Sequence, residues 1–174
     1  TCALPILLGN GGFIYGTGRA FGIEAMLQYQ TERLSLTASY TYTDSRRRSD
    51  GVTYPFEYDV PHDFNAFVSY DVVKRPGRKH TFSLNVAWRS GLPYRLTNES
   101  YPDTDGNPII GITAYPTMRM HNYFRADVSY NMECCKRNGV RNWQFSIINA
   151  TWHKNPVSIY PYRGSYKATV LIPI

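Results

Sequence analysis

Five charged or aromatic residues near predicted strand ends are the strongest candidates for binding chemistry in this chain. Arg125 and Asp127 are two positions apart in a predicted strand, so their side chains project to the same face. They could line an internal lumen and contact a ligand there, or pair with each other in the plane of the sheet, and we favour the ion pair. Arg89 precedes the longest predicted loop, and Tyr94 and Arg95 lie just inside it, where they could contact a ligand at its mouth.

No catalytic or metal site is predicted from the spacing of the remaining residues. Ser, His and Asp are all present, but no nucleophile motif brings them together. Residues 103–107 resemble the first half of a calcium loop, but the later ligands of that pattern are absent and an ordinary turn is favoured. Cys2, Cys134 and Cys135 form neither a metal spacing nor a disulfide framework. The sequence therefore predicts a protein that is not an enzyme and has no cofactor.

Composition and charge exclude several classes of protein. No apolar run approaches the roughly 18 residues that a membrane-spanning helix needs, so a helical membrane protein is excluded. The basic residues behind the net charge of +6 fall in short clusters at 46–48, 74–79 and 136–141, all in predicted turns or loops. A nucleic-acid surface would instead interleave basic and aromatic residues along one face, so no nucleic-acid partner is expected.

Alternation with a period of two is the strongest structural signal in the sequence, because successive side chains of a strand point to opposite faces. Residues 34–43 alternate without exception, with Leu, Ala and Tyr on one face and Ser and Thr on the other. The same alternation predicts strands at 21–30, 64–72, 82–88, 124–132, 143–147 and 166–172. We therefore predict an all-β, antiparallel, up-and-down fold of about seven strands.

The predicted connections alternate in length along the chain. Long loops are predicted at 44–62, 90–122 and 153–165, and short turns at 31–33, 73–79 and 133–141. Residues 1–19 are predicted to be a loop leading into the first strand, because Pro5 and the glycines between residues 9 and 12 disfavour a strand. Short turns at one rim and long loops at the other are typical of outer-membrane β-barrels, whose strands cross the bilayer in about ten residues.

The two faces of the predicted strands differ in the way that separates a membrane barrel from a soluble sheet. The polar face carries mainly Ser, Thr, Asn and Gln, whereas a soluble protein would place many Lys and Glu residues there. On the apolar face, amphipathic rings are expected to lie at the level of the lipid headgroups. These membrane-interface candidates are Tyr29, Tyr40, Tyr42, Tyr70, Trp88 and Tyr130.

Six segments, in order, resemble the C-terminal barrel of TonB-dependent receptors, particularly the Bacteroidetes type. No single segment is decisive, but their order along almost the whole chain is specific. The segments are Gly16-Thr-Gly-Arg-Ala-Phe-Gly-Ile-Glu24, Ser39-Tyr-Thr-Tyr-Thr-Asp44, Tyr58-Asp-Val-Pro-His-Asp63, Ser90-Gly-Leu-Pro-Tyr94, Arg119-Met-His-Asn-Tyr-Phe-Arg-Ala-Asp127 and the stretch from Trp143 to Pro156.

The resemblance implies that residues 1–174 form the C-terminal part of a transmembrane barrel of about 22 strands in the outer membrane of a Gram-negative cell. Such a barrel takes up a nutrient with energy delivered by TonB, and the nutrient could be a siderophore, cobalamin, a peptide or a glycan. The implied partners are outer-membrane lipid, the barrel's own plug domain and TonB upstream of this chain, and a surface lipoprotein. Single-chain bacterial barrels have even strand counts, so a seven-stranded chain is expected to be a piece of a larger one.

Two alternatives stay open at this point. The chain could form a small, self-contained outer-membrane barrel with a structural or adhesive role. It could also be a soluble β-sandwich or lipocalin-like binding module, whose apolar faces would pack inward against a second layer.

Overall fold

A computed structural model describes residues 2–7, 13–95, 100–102, 108–110, 115–137, 139–162 and 165–170 of the chain. This part of the protein is all-β, as the sequence predicts. It holds no helix with the length and apolar character needed to cross a bilayer.

Fourteen strands occur in the described residues. They are β1 (Cys2–Leu7), β2 (Phe13–Gln30), β3 (Leu34–Ser49), β4 (Val52–Pro55), β5 (His62–Arg75), β6 (Arg78–Arg89), β7 (Pro93–Tyr94), β8 (Ser100–Pro102), β9 (Pro108–Ile110), β10 (Met118–Arg119), β11 (Tyr123–Lys136), β12 (Gly139–Ile147), β13 (Pro156–Tyr162) and β14 (Ser165–Val170).

Seven of these strands form one antiparallel sheet in the order β1-β2-β3-β5-β6-β11-β12, and β4 pairs with the far end of β3. Neighbours in the sheet follow one another along the chain once β4 and the short strands between β6 and β11 are set aside, so the predicted antiparallel up-and-down order is confirmed for this sheet. The pairs β7–β10, β8–β9 and β13–β14 are separate two-stranded sheets. The described sheet is open: β12 forms one edge, and the other edge is formed by β1 beside Phe13–Gly18 and by β2 itself from Arg19 to Gln30.

The short turns lie where the sequence predicts them. Residues 31–33 join β2 to β3, and the Thr31 hydroxyl accepts the Leu34 N–H at 3.0 Å. Gly77, with φ of +75°, turns the chain between β5 and β6. Positive φ favours glycine because it has no Cβ.

Four regions predicted as loops contain strands, and the longest of them, 90–122, contains the short strands β7, β8, β9 and β10. The prediction of a loop at residues 1–19 is wrong, because β1 and the first third of β2 occupy most of this range. Pro5 is tolerated in β1 because β1 is an edge strand. Within 44–62, β3 continues to Ser49 and turns back into β4 at Asp50-Gly51, where both φ values are positive (48° and 76°). Within 153–165, β13 forms a hairpin with β14, so the predicted strand at 166–172 pairs there and not with the main sheet.

The register of the ladders brings the alternating apolar residues of six strands onto one face, here called the apolar face. Directly paired residues of an antiparallel sheet share a face, so the pairs define rows that run across the strands. The loop-end aromatic row consists of Tyr40, Phe64, Trp88 and Phe124. The turn-end aromatic row consists of Tyr70, Phe82, Tyr130 and Phe145.

Aliphatic side chains fill the space between the two aromatic rows. One aliphatic row is Leu27, Ala38, Ala66, Val86 and Ala126, and the next is Leu36, Val68, Leu84, Val128 and Ile147. Phe64 and Tyr70 mark the two aromatic rows on β5, and because they are six positions apart the rows are separated by about 20 Å along the strand. The apolar face is therefore a band of aliphatic side chains with aromatic rings along both edges.

No second layer of the described residues covers the apolar face. Leu27, Tyr29 and Phe145 are 57%, 53% and 62% exposed. Within the described residues only Tyr54 and Ala126 are buried hydrophobic side chains.

Small polar side chains dominate the opposite face, here called the polar face. One row consists of a serine from each of five neighbouring strands, namely Ser35, Ser69, Ser83, Ser129 and Ser146. Met26, Phe67 and Val140 are large apolar exceptions on this face, and all three are exposed.

Gly91 lies where the chain leaves β6 and passes very close to the segment before β11. A Cβ at this position would overlap the carbonyl oxygen of Met120 and lie 3.0 Å from that of His121. Two hydrogen bonds fix this approach: the Gly91 N–H donates to Asn122 Oδ1 at 3.2 Å, and the Met120 N–H donates to the Leu92 carbonyl at 2.9 Å. The two segments can therefore pair only if residue 91 has no side chain.

Gly91→Ala should lower the free energy of unfolding by ~2 kcal/mol, because one of the two segments must move to make room. Chemical denaturation followed by tryptophan fluorescence measures the effect. Gly18→Ala is the matched control, since its new Cβ would meet nothing closer than the Arg46 carbonyl oxygen at 3.9 Å. Equal stability of the two variants would contradict the close approach.

Candidate functional site

Two groups of polar side chains lie toward the loop ends of the long strands. The first, called the polar-face cluster, consists of Asp63, Arg89, Tyr123, Arg125 and Asp127. The ladders place Asp63, Arg89 and Tyr123 in one row and Arg125 and Asp127 in the two rows below it. Three of the five residues singled out from sequence, Arg89, Arg125 and Asp127, thus lie in one neighbourhood.

Arg125 and Asp127 form the ion pair that the sequence favours. The Arg125 Nε donates to the two carboxylate oxygens of Asp127 at 2.7 and 2.9 Å, and Nη2 lies 2.7 Å from Oδ2. Asp127 also accepts the backbone N–H of Asn149 at 2.8 Å, which ties the turn after β12 to β11. With its oxygens already occupied, Asp127 is better suited to holding Arg125 in place than to binding a ligand itself.

Arg89 covers an aromatic ring beside a small cavity on the polar face. Its guanidinium carbon lies 4.4 Å from the centre of the Tyr123 ring, a cation–π contact. Across the cavity, Asn65 donates to Asp63 Oδ1 at 2.6 Å. The cavity measures about 160 Å³ and is lined by Asp63, Asn65, Ala87, Trp88, Arg89 and Tyr123.

The structure separates Tyr94 and Arg95 from Arg89. The Tyr94 hydroxyl donates to the Ile159 carbonyl in β13, and Arg95 pairs with Glu57 in the segment after β4. Tyr94 and Arg95 therefore connect loop-end segments to one another, whereas Arg89 belongs to the main sheet.

The second group lines a larger cavity of about 280 Å³, called the loop-end pocket. Asp59 lies at its base and is only 3% exposed. Asp59 Oδ1 accepts the Ser45 N–H at 2.8 Å, and Asp59 Oδ2 forms an ion pair with Arg119. The lining residues are Tyr42, Thr43, Asp44, Arg46, Thr53, Tyr54, Pro55, Asp59, Pro61 and Arg119.

Arg119 joins three separate segments at the floor of this pocket. Its Nη1 donates to the carbonyl oxygens of Asp59 and Gly91 at 3.0 and 3.2 Å. The same guanidinium thus fixes the segment before β5 and the close turn at residue 91 while its other arm pairs with the Asp59 carboxylate. The buried carboxylate is balanced by one guanidinium and one backbone N–H, as a buried charge requires.

Charged groups also line the rim of the loop-end pocket. Arg46 Nε donates to Asp44 Oδ1 at 2.7 Å, and Arg19 lies 4.0 Å from the same carboxylate. The hydrogen bond to Asp44 raises the pKa of Arg46 above its ordinary value, so its charge is fixed. The rings of Tyr54 and Tyr115 pack at a tilt of 32° beside the pocket, with their centroids 4.4 Å apart. A pocket with such walls suits a polar ligand that offers both acceptors and an apolar surface.

The aromatic residues singled out from sequence lie mainly at the edges of the apolar band. Tyr40 and Trp88 belong to the loop-end aromatic row, and Tyr70 and Tyr130 to the turn-end aromatic row. Tyr42 lies one row farther out and packs at 5.3 Å against His62. Tyr29 instead pairs with Leu36, in the second aliphatic row.

A tyrosine–histidine hydrogen bond occurs at each edge of the apolar band. The Tyr40 hydroxyl and His62 Nδ1 are 2.7 Å apart at the loop end, and the Tyr130 hydroxyl and His80 Nδ1 are 2.5 Å apart at the turn end. Each phenol therefore has a polar partner while its ring packs among apolar side chains.

Nothing in the described residues forms a group of three His, Cys, Asp or Glu that could hold a metal ion. The calcium-like segment 103–107 lies outside the described residues. Cys134 and Cys135 are free thiols, the first half-buried and the second exposed.

Sequence reasoning missed the contact between Asp59 and Arg119, which are 60 positions apart. Each residue stands in one of the six segments that carry the family resemblance, and this was the available signal. The sequence gives no indication of pairing over such a distance, because the ladder between β5 and β6 and the close approach at Gly91 must both form first.

Comparisons of the chain with protein-family models, with curated proteins and with solved structures gave no match.

Asp59→Ala should lower the free energy of unfolding by ~2 kcal/mol, because it leaves Arg119 and the Ser45 N–H without their acceptor. The loss stays below that of a fully buried pair, since the Arg119 side chain is 36% exposed. Chemical denaturation measures it. Glu57→Ala is the matched control: its ion pair with Arg95 is exposed on both sides, and its loss should cost under ~1 kcal/mol. A larger effect at Glu57 than at Asp59 would contradict the role assigned to the pocket floor.

Proposed function

We propose that this chain is a wall segment of a TonB-dependent transporter in the outer membrane of a Gram-negative bacterium, which takes up a nutrient with energy delivered by TonB. The single observation that carries the proposal is the apolar face, continuous over six strands and without a covering layer among the described residues. The resemblance of six ordered sequence segments adds the family.

The apolar face has the organisation of a lipid-facing surface. Monomeric soluble proteins rarely expose contiguous apolar patches larger than a few hundred Å². The aliphatic band with aromatic rows along both edges corresponds to the lipid-facing belt and interfacial girdles of outer-membrane barrels. A soluble sandwich would need a second layer against Leu27 and Phe145, which are more than half exposed.

Strand pairing satisfies the hydrogen-bonding groups of the backbone, as a bilayer requires. Hydrocarbon offers no partner for a backbone N–H or carbonyl, so a membrane-spanning sheet must pair every strand. The ladders of β3, β5, β6 and β11 do this on both sides, whereas β2 pairs with β1 only over Phe13–Gly18. In the proposed transporter, further strands pair with β12 and with the remaining edge of β2 and complete a barrel of about 22 strands.

The polar face would line the lumen and contact the plug domain. Its serine and threonine side chains leave room for a plug, and the Arg125–Asp127 ion pair would supply fixed charge without an unpaired group. Arg89 and the small cavity beside Tyr123 would face a ligand that passes between wall and plug.

The loop-end pocket and the hairpins beyond it would form the extracellular side. Outer-membrane barrels carry short turns at the periplasmic rim and long loops outside. Ligand capture and contact with a surface lipoprotein would therefore involve the loops near Asp59 and Arg119. A siderophore, cobalamin, a peptide or a glycan would each be compatible with a polar pocket of about 280 Å³ as a first contact.

Deleting the gene should abolish growth on one limiting nutrient and uptake of its radiolabelled form, and deleting TonB in the same strain should do the same. Siderophore-bound iron, cobalamin, peptides and glycans are supplied one at a time. Complementation with the wild-type gene is the control. Undiminished uptake of all four classes in the deletion strain would overturn the transport proposal.

Labels at adjacent residues on β5 should report opposite environments in the full-length protein reconstituted in lipid vesicles. Val68→Cys places a fluorophore on the apolar face, and Ser69→Cys places it on the polar face; Cys2, Cys134 and Cys135 are replaced by Ser in both variants. Lipids brominated on their acyl chains should quench the first label at least about fivefold more strongly than the second, since hydrocarbon contacts only one face. Equal quenching would contradict the proposed orientation.

A further inference from the structure

At the turn end of the apolar face, a row of arginine side chains follows the aromatic ones. Beyond the turn-end aromatic row come His80, Met132 and Trp143, which share one row with Val73. The following row contains Arg75, Arg78, Cys134 and Arg141. Arg75, Arg78 and Arg141 are called the turn-end basic row.

A bulge in β5 places Arg75 on this face. The register shifts between Asp71 and Val73, so Val72 has no partner and Val73 pairs with His80. Arg75 consequently pairs with Arg78 and lies on the same side as Phe82, two strand repeats away.

The turn-end basic row is exposed and has no acidic partner in the described part of the chain. All three arginines are exposed, and the described ion pairs do not include them. The nearby acids serve the polar face instead: Asp71 pairs with Lys79 at 3.2 Å, and Glu133 accepts the Cys135 S–H at 3.9 Å. Three like charges thus stand together without compensation.

The loop end shows the opposite arrangement. Two of its three basic residues have side-chain partners, since Arg46 pairs with Asp44 and Arg47 stacks on Phe56 at 4.0 Å, and only Arg48 is outside the described ion pairs and ring contacts. The uncompensated positive charge on this face is therefore concentrated at one end of the apolar band.

We propose that the turn-end basic row binds the headgroup phosphates of anionic phospholipids in the leaflet at the turn side of the membrane. This inference rests on the proposed membrane location. The charge pattern carries it: an arginine row two rows beyond the turn-end aromatic row, next to Trp143, lies in the headgroup region of the proposed membrane, and guanidinium groups bind phosphate through paired hydrogen bonds.

The spacing of the row fits a phosphate group. Arg78 and Arg141 lie on β6 and β12, with β11 between them, so their backbones are about 10 Å apart. The residue between them in the row is Cys134, a small side chain. Two guanidinium groups can therefore approach one phosphate from both sides above Cys134, next to the exposed ring of Trp143.

The test uses the full-length protein in vesicles of phosphatidylcholine mixed with phosphatidylglycerol, and native mass spectrometry counts the lipids that stay bound. The wild type should retain phosphatidylglycerol in preference to phosphatidylcholine. The triple variant Arg75→Gln, Arg78→Gln, Arg141→Gln should lose this preference by about tenfold or more. The preference of the wild type should also fall as salt is raised.

The triple variant Arg46→Gln, Arg47→Gln, Arg48→Gln is the matched control, since it removes the same charge from the loop end and should keep the preference. Equal loss in both variants, or a wild type that binds both lipids alike, would overturn the inference and leave the transporter proposal standing. A wild type that fails to insert into the vesicles would contradict both proposals.

Discussion

The register of the antiparallel ladders is the constraint on which the rest of this structure depends. Because side chains alternate along every strand, a slip of one residue between two neighbours would turn a whole apolar set to the polar side. The register from β2 to β12 keeps the apolar side chains of the long strands on one face. Tyr40, Phe64, Trp88 and Phe124 therefore form one row. Both proposals follow from that row structure and not from any single residue.

Charges are distributed according to the same two faces. On the polar face and at the loop end, opposite charges meet at short range, as in Arg125 with Asp127 and Asp59 with Arg119. These pairs connect elements: Asp127 reaches the turn at Asn149, and Arg119 reaches the carbonyl of Gly91. Ion pairs and hydrogen bonds therefore hold the turns and loop segments in place, whereas the apolar rows define one face of the sheet.

The sequence was sufficient to predict the strands in which apolar and polar side chains alternate. The strands from 21 to 147 and the turn at 31–33 are correct, since hydrophobic alternation and turn residues are local signals. Strand ends were missed where pairing continues without apolar side chains, as at Thr17 with Arg48, although Asp50-Gly51 carried a usable hairpin signal. The Asp59–Arg119 pair was beyond reach, because it depends on the geometry of segments 60 positions apart. Whether Arg89, Tyr94 and Arg95 contact a ligand, and whether the chain belongs to a transporter, stay predictions.

The unpaired residue Val72 forms a β-bulge that shifts the side-chain alternation of β5 within its hairpin with β6. Above it, odd-numbered positions of β5 belong to the polar side; below it, Val73 and Arg75 belong to the apolar side. If Val72 were paired in a regular ladder, strict alternation would place Lys74 on the apolar face and turn Arg75 to the polar face, toward Lys79 and Asp71. The bulge therefore decides on which face of the sheet the Arg75 guanidinium lies, and deleting Val72 would restore a regular ladder and leave Val73, Lys74 and Arg75 on their present faces.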